Sequence, residues 1–367
     1  MSPEELKYQI AISLIPGIGN VLAKKLISYT GSIEAVFREK KKNLTKIPGI
    51  GEFLADRIES QDVLSMSEDE VEFIAKNNIQ PFFYLNDDYP LRLKQCEDAP
   101  VIFYLKGAVD LDSAKILSIV GTRNATGMGR EVCEDIVHDL SVNHPELIIV
   151  SGLAYGIDIC AHRSALKNNI KTIAVLAHGL NFLYPQSHFN TSREIISNGG
   201  LVTDFMSTEK PEPNNFIKRN RIIAGLADGT LVVESGPEGG ALITADIANS
   251  YNREVMAIPG RPGDKYSSGC NALIKSNKAA LIECANDIEL FLGWDSPRKD
   301  IGVQQELFSL LSPEEELLFA IVRNSGKISA DDISIKSGFS TQKTSALLLN
   351  LEFGNHIKSL PGKIYTS

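Results

Sequence analysis

The chain has 367 residues, a formal charge of −9 at pH 7 and a hydrophobic content of 43%. This length predicts two or three domains with sizeable cores. The acidic balance excludes a protein coated in basic residues, so any nucleic-acid site must be a local patch. No apolar run reaches membrane-spanning length, and the N-terminus lacks the basic and apolar regions of a signal peptide. The five cysteines are scattered and the six histidines form no ligand cluster. We therefore expect no disulfide, no metal site, no cofactor, and a reducing cytoplasm.

The first segment contains an internal repeat. Residues 14–27 and 46–58 each consist of a helix end, a P-G-I-G turn and a new helix. This pattern is typical of helix-hairpin-helix modules, whose glycine turn can bring backbone N–H groups against a DNA phosphate. Because acidic residues offset the nearby cations, a compact helical interaction domain without DNA contact is the alternative. We predict a helical helix-hairpin-helix (SAM-like) domain over residues 1–80, ending in a linking helix over Val63–Lys76.

Strands and helices alternate in the next segment, which predicts an α/β domain over residues 81–295 with a Rossmann-like, doubly wound and mainly parallel sheet. The pattern predicts an edge strand over Pro100–Gly107. The further predicted strands are Ile116–Val120, Leu147–Val150, Lys171–Leu176, Leu201–Thr203, Thr230–Glu234 and Glu254–Ile258. Ligands of open α/β sheets bind beyond the C-terminal strand ends, so the loops that follow these strands are expected to converge on one rim.

The loop after Ile116–Val120 has the features of an anion-binding site. Gly121, Thr122 and Arg123 separate a buried strand from a helix start, where free N–H groups and the helix dipole favour negative charge. The loop does not match the G-x-G-x-x-G pattern of a dinucleotide site, because five residues separate Gly121 from Gly127 and the next strand does not end in an acidic residue. Arg123 is a planar cation suited to a phosphate or a guanine edge. A tight turn with a solvated Arg123 explains this loop equally well.

The densest basic stretch follows Phe216. Lys218, Arg219 and Arg221 occur without an intervening acid, and Asn220 adds amide donors and an acceptor. A solvated charged face is the usual meaning of such a run. Its position beside a glycine-rich rim, in an otherwise acidic chain, favours anion binding.

A second strand–glycine–helix cradle follows Thr230–Glu234. Gly239 and Gly240 open a helix that carries Thr244. Two such cradles together with several arginines can hold more than one phosphate. A polymer backbone supplies that pattern more readily than a mononucleotide does.

Other residues on the rim allow two interpretations each. Asp158 and His162 are four residues apart, as in an acid/base or metal pair, although Asp158 is better explained as a helix cap. Phe182 and Tyr184 either stack on bases or plug a loop. Cys270 has no base nearby in sequence and is interpreted as a packed small residue.

The C-terminal segment begins with a linker over residues 296–304. Three predicted helices and a β wing over residues 305–367 form a winged-helix domain, whose third helix would read a DNA groove if the domain binds DNA. Lys343 is the only cation on that helix, so weak DNA binding or protein docking is favoured.

Several motifs of the central segment occur in the same order in the bacterial DNA-processing protein DprA family, also called Smf, which this chain therefore resembles. The motifs are IVGTR (119–123), VSGLAYGID (150–158), GLNFLYP (179–185), RNRIIAGL (219–226), ALITA (241–245) and PG (259–260).

The resemblance implies a non-enzymatic, cytoplasmic homodimer with no membrane association. It would bind and protect single-stranded DNA, bind duplex more weakly, and load the RecA recombinase during natural transformation or recombination. Carried over by position, Arg123 would hold phosphate or base, Phe182 would lie beside a base, and Arg219 and Arg221 would line the positive pocket. The predicted DNA-binding residues are Gly121, Thr122, Arg123, Gly152, Phe182, Lys218, Arg219, Asn220, Arg221, Gly239, Gly240 and Thr244.

Two rival functions remain. The cradle at Gly239 and Gly240 is similar to that of nucleotide phosphoribohydrolases, but those enzymes have a downstream glutamate for acid/base work, and here the helix offers only Asp246. The other rival is a scaffold whose winged helix and hairpins dock proteins.

Overall fold

The computed structural model describes residues 2–60, 63–294, 311–354, 356–360 and 363–366. The chain divides into two compact units, Met1–Asp295 and Ser296–Ser367. The predicted linker at 296–304 lies outside the described residues. None of the helices in the described part of the chain is long and apolar enough to cross a membrane.

The first unit begins with the predicted tandem hairpins, which pack against each other reciprocally. Gly17 and Gly49 both have positive φ angles, of 88° and 95°. A Cβ on Gly17 would lie 2.9 Å from Leu54 Cδ2, and one on Gly49 would lie 3.0 Å from Leu22 Cδ2. Each hairpin glycine therefore makes room for a leucine of the other repeat. The helices are α1 (Pro3–Leu14), α2 (Asn20–Thr30), α3 (Ile33–Arg38), α4 (Lys41–Leu44), α5 (Glu52–Ser60) and α6 (Val63–Lys76).

The remainder of the first unit is a sheet with helices on both faces. The strands are β1 (Gln80–Phe83), β2 (Ile102–Gly107), β3 (Ile116–Val120), β4 (Ile148–Ser151), β5 (Lys171–Val175), β6 (Gly200–Thr203), β7 (Gly229–Val232), β8 (Glu254–Ala257) and β9 (Ala280–Leu281). The helices are α7 (Leu91–Lys94), α8 (Gly127–Asn143), α9 (Ile157–Lys167), α10 (Phe189–Asn198), α11 (Pro213–Leu226), α12 (Gly240–Ser250), α13 (Ser268–Lys275) and α14 (Ala285–Phe291).

The strand order is β1-β2-β6-β5-β4-β3-β7-β8-β9. In this order, the seven neighbouring strands that begin with β6 and end with β9 all run parallel. The chain passes from β3 to β4 on one side, whereas β7 pairs with β3 on the other. This reversal is the topological switch point, where open α/β sheets bind their ligands. Both faces of β3 are buried: Ile116 and Val120 face one core, and Leu117 and Ile119 face the other. The predicted doubly wound, mainly parallel sheet is confirmed.

The prediction of an edge strand over Pro100–Gly107 is wrong. β2 is interior, because it pairs antiparallel with β6 on one side and with β1 on the other. β1 was not predicted, since Pro81 interrupts a short run, but proline is tolerated on an edge strand.

The N-terminal helices cover this antiparallel edge of the sheet. Side chains of β1 and β2, such as Phe83 and Tyr104, share one buried core with α1 to α6. Within the same contact, Glu70 of α6 is buried and accepts hydrogen bonds from Ser207 N at 3.0 Å and Ser207 Oγ at 2.7 Å. Burial raises the pKa of Glu70. The loop after β6 is therefore tied to the helical segment through a buried polar contact.

We expect Glu70→Ala to lower the free energy of unfolding of the first unit by about 1–3 kcal/mol, because the buried Ser207 donors lose their acceptor. Urea denaturation followed by circular dichroism measures the change. Glu72→Ala, at an exposed position of the same helix, is the matched control. Equal stability of the two variants would contradict the assignment.

The second unit is the predicted winged helix. Its helices are α15 (Pro313–Ser325), α16 (Ala330–Ser337) and α17 (Thr341–Phe353), and its strands are β10 (Ile328–Ser329), β11 (Lys358–Leu360) and β12 (Ile364–Thr366). The strands pair in the order β10-β12-β11. Ser312, Ser329 and Ser340 each cap the helix that follows, which explains why the sequence marks these helix starts well.

Candidate functional site

The loops after β3, β4 and β7 and the starts of α11 and α12 enclose a cavity of about 420 Å³ at the switch point. We call it the Arg123 cavity. It brings together many of the predicted site residues, which come from distant parts of the sequence. Those on its wall are Gly121, Thr122, Arg123, Arg219, Asn220, Gly239, Gly240 and Thr244.

The segment 121–126, here called the Arg123 loop, is held at both ends by Glu234, which follows the neighbouring strand β7. The Glu234 carbonyl accepts a hydrogen bond from Thr122 N at 2.7 Å. Its carboxylate accepts from Thr126 N at 2.9 Å and from Thr126 Oγ1 at 2.6 Å. Thr126 Oγ1 in turn accepts from Gly129 N and caps α8. Both ends of the loop are therefore fixed before any ligand arrives.

Glycines around this loop allow the close approach of other groups. A Cβ on Gly129 would lie 2.3 Å from the Glu234 carboxyl carbon, and one on Gly121 would lie 2.5 Å from Ile157 Cγ1. Gly156 has φ of 80°, and a Cβ there would lie 2.1 Å from Thr122 O. These positions need glycine for packing inside the protein, independently of any ligand.

Two guanidinium groups lie close to one aromatic ring in the cavity. The Arg123 guanidinium lies 5.2 Å from the centre of the Phe216 ring, and that of Arg219 lies 6.0 Å from it. Tyr184 meets the same ring edge-on at 5.8 Å. Phe216 was absent from the predicted site, although its position directly before the basic stretch was a usable signal. Within the described chain, Arg123 is exposed and makes no hydrogen bond or ion pair.

Arg219 reaches the cavity from inside the protein. It is only 4% exposed, and its Nη1 donates to Val175 O at 2.6 Å. A Cβ on Gly152 would lie 1.9 Å from Arg219 Nη1, so the structure gives Gly152 the role of making room for this side chain. Arg219 Nε is buried without a partner, and Nη2 makes no hydrogen bond to any described residue. The guanidinium therefore keeps donor capacity for a ligand.

Burial shifts the pKa values of two charged groups at the cavity, Arg219 and Asp158. Burial lowers the pKa of Arg219 to about 10, so this side chain stays cationic at neutral pH. Burial raises the pKa of Asp158, against the opposing effect of the Arg219 charge. Asp158 does not cap α9 as predicted: the N-cap residue is Gly156, and Asp158 Oδ2 accepts from Ala154 N at 3.4 Å. An exposed carboxylate, Glu238, also lies on the cavity wall.

Four predicted residues are not on the cavity wall: Gly152, described above, and Lys218, Arg221 and Phe182. Lys218 and Arg221 line a separate cavity of about 660 Å³ between α11 and the first hairpin. There Arg221 is ion-paired with Asp204, so its guanidinium group already has an anionic partner within the protein. Phe182 is half-buried and is not part of the Arg123 cavity wall.

Two further side chains considered from the sequence have internal roles. His162 Nδ1 lies 2.7 Å from Thr172 Oγ1, and burial lowers the pKa of His162 to about 3. Burial also raises the pKa of Cys270 to about 12. The histidine is therefore neutral and the cysteine is a thiol at physiological pH.

Comparison with protein families matches residues 80–293 to the DNA recombination-mediator protein A family. This chain belongs to that family. Residues 11–59 match the SAM-like helix-hairpin-helix tandem, and residues 304–363 match the DprA winged helix domain. The tandem hairpins, the sheet and the winged helix thus agree with the family's architecture.

Individual relatives give the same result. Protein Smf of Synechocystis is 33% identical over 84% of this chain and 77% of its own length. A crystal structure of DNA processing protein A from Streptococcus pneumoniae is 32% identical, with a TM-score of 0.64 over 77% of this chain and 97% of that chain. The Helicobacter pylori protein, whose structure is described for its single-stranded DNA binding mode, is 25% identical with a TM-score of 0.53, over 59% of this chain and 96% of that chain.

We expect Gly129→Ala to loosen the Arg123 loop, because the added methyl group collides with the Glu234 carboxylate. Hydrogen exchange at the Thr126 amide measures this, and it should become faster in the variant. Gly127→Ala is the matched control, since nothing lies within 4 Å of a Cβ there. If the Thr126 amide exchanges at the same rate in both variants, the role given to Glu234 is wrong.

Proposed function

We propose that this protein binds single-stranded DNA in the Arg123 cavity. The observation that supports this most directly is the pair of guanidinium groups beside the Phe216 ring. Cations beside an aromatic platform form the usual site for a flexible polynucleotide, because phosphates pair with the cations while bases stack on the ring. The start of α12, which in the described structure has no side-chain cap, adds backbone donors to the same wall.

The shape of the site favours a single strand over a duplex. Arg219 is almost fully buried and Phe216 is half-buried. A nucleotide has to enter the cavity with its base unstacked, which a single strand does at lower cost than a duplex. Titrating labelled oligo-dT against a duplex of equal length, at several salt concentrations, tests this preference.

We further propose that the protein acts as a cytoplasmic homodimer that loads RecA on the bound strand during transformation or recombination. Membership of the DNA recombination-mediator protein A family supports a role in recombination. The Helicobacter pylori relative supports single-stranded DNA as the ligand. Sedimentation of the purified protein and a RecA filament assay on protein-coated oligonucleotides test the dimer and the loading step.

We propose binding, not catalysis, as the activity. The one acid that the phosphoribohydrolase hypothesis offered, Asp246, is exposed and pairs with Lys278 Nζ at 2.8 Å. It is not part of the Arg123 cavity wall. Release of free base from nucleoside monophosphates incubated with the protein would support the enzyme instead.

Arg123→Ala should weaken binding of oligo-dT by about 1–3 kcal/mol, because it removes an exposed and unpaired cation from the site. The slope of log affinity against log salt should fall by about 0.7 for each lost phosphate contact. Fluorescence anisotropy measures both quantities. The matched control is Arg193→Ala, at an exposed position of α10 outside the cavity. Unchanged affinity of Arg123→Ala would rule out this site.

Removing the exposed carboxylate of Glu238 should have the opposite effect. Glu238→Gln should tighten oligo-dT binding about two- to fivefold at low salt, because it removes a like charge from an anion site. The gain should shrink as salt is raised. Anisotropy titrations at two salt concentrations measure it, and weaker binding by the variant would show that the carboxylate contacts the ligand favourably.

A further inference from the structure

A second cavity opens on the other side of the Arg123 loop. Its volume is about 590 Å³, and its wall is mainly apolar, with Met128, Val132, Ile258 and Tyr266 as contributors. We call it the Tyr266 cavity. The function proposed above makes no use of it.

The two cavities share one wall. Gly121, Thr122, Arg123 and Asn124 face the Arg123 cavity, whereas Thr126 faces the Tyr266 cavity. Glu234, which fixes this loop, also lines the Tyr266 cavity. In addition, Ser235 N donates to Tyr266 O at 2.7 Å, so the far wall is tied to the same strand end. The two cavities are therefore neighbours across the Arg123 loop.

The second cavity also offers two exposed cations to a polyanion. Arg261 and Lys265 are exposed cations on its wall. Neither makes an ion pair with a described residue, and Lys265 Nζ lies 5.4 Å from the centre of the Tyr266 ring. Two acids lie on the same wall: Asp264, which is exposed, and Glu234, whose carboxylate accepts two hydrogen bonds from Thr126.

We propose that the Tyr266 cavity is a second subsite for the same strand. It takes a nucleobase against Tyr266 and the exposed thioether of Met128, while Arg261 and Lys265 bind the adjoining phosphates. Apolar surface with an aromatic ring, next to cations without partners, is the composition that single-stranded polynucleotides require. This inference rests on the proposed function, since the strand enters from the Arg123 cavity.

The test is anisotropy titration of two oligomers of about 20 nucleotides, one of dT and one with abasic residues throughout. Tyr266→Ala should weaken dT binding about tenfold and leave the abasic oligomer unchanged, since only a base can stack. Tyr266→Phe should keep the affinity for dT. The double variant Arg261→Ala/Lys265→Ala should weaken both oligomers and lower the salt slope by about 1.4.

The matched control is Lys167→Ala/Lys171→Ala, two exposed lysines at the end of α9 and the start of β5. It removes the same charge from the opposite ends of the strands, where β5 begins. Thermal melting checks that all variants are folded as the parent is. If Arg123→Ala weakens binding while the Tyr266 and Arg261/Lys265 variants match the control, the second subsite is wrong and the proposed function stands. If the parent protein binds neither oligomer, the proposed function itself fails.

Discussion

The candidate site depends on the attachment of one loop to a neighbouring strand end. Glu234 follows β7, and it holds both Thr122 and Thr126, which follow β3. The carboxylate accepts two hydrogen bonds at the start of α8, where the helix dipole also favours negative charge. Because strand order reverses between β3 and β7, no helix crosses between their ends and the two loops can meet. The Arg123 loop is thereby a preorganised wall, with one cavity on each side.

The glycines of the site mainly provide space. Gly129 admits the Glu234 carboxylate, Gly152 admits the Arg219 guanidinium, and Gly156 admits the Thr122 carbonyl. Their spacing resembles that of a phosphate-binding loop, because such a loop also needs glycines to let another group come close to the backbone. In this protein the approaching group is often another part of the chain. The glycine pattern therefore supports the ligand site indirectly, by letting buried polar groups reach it.

The basic residues on α11 have different roles because they lie on different faces of the helix. Arg219 points inward, stays cationic in spite of its burial, and reaches the Arg123 cavity beside Phe216. Arg221, two residues on, faces the first hairpin and is paired with Asp204. Residues two apart on a helix lie on different faces, so a run of cations in sequence is not a patch in space. The exposed Arg123, from another strand end, completes the site.

The sequence by itself determined the three-part organisation, the parallel sheet and eight of the residues on the Arg123 cavity wall. Hydrophobic periodicity, hairpin glycines and helix caps are local signals, and the rim follows because parallel strands end together. Only the tertiary structure decided which neighbours meet there. It placed Phe216 close to the two arginines. It also showed that Lys218, Arg221 and Phe182 lie outside the cavity wall, and that β1 forms the edge of the sheet instead of the predicted strand. The reason is physical: pairing between strands and the direction of a buried side chain depend on contacts between residues far apart in the chain. No local pattern in the sequence encodes those contacts.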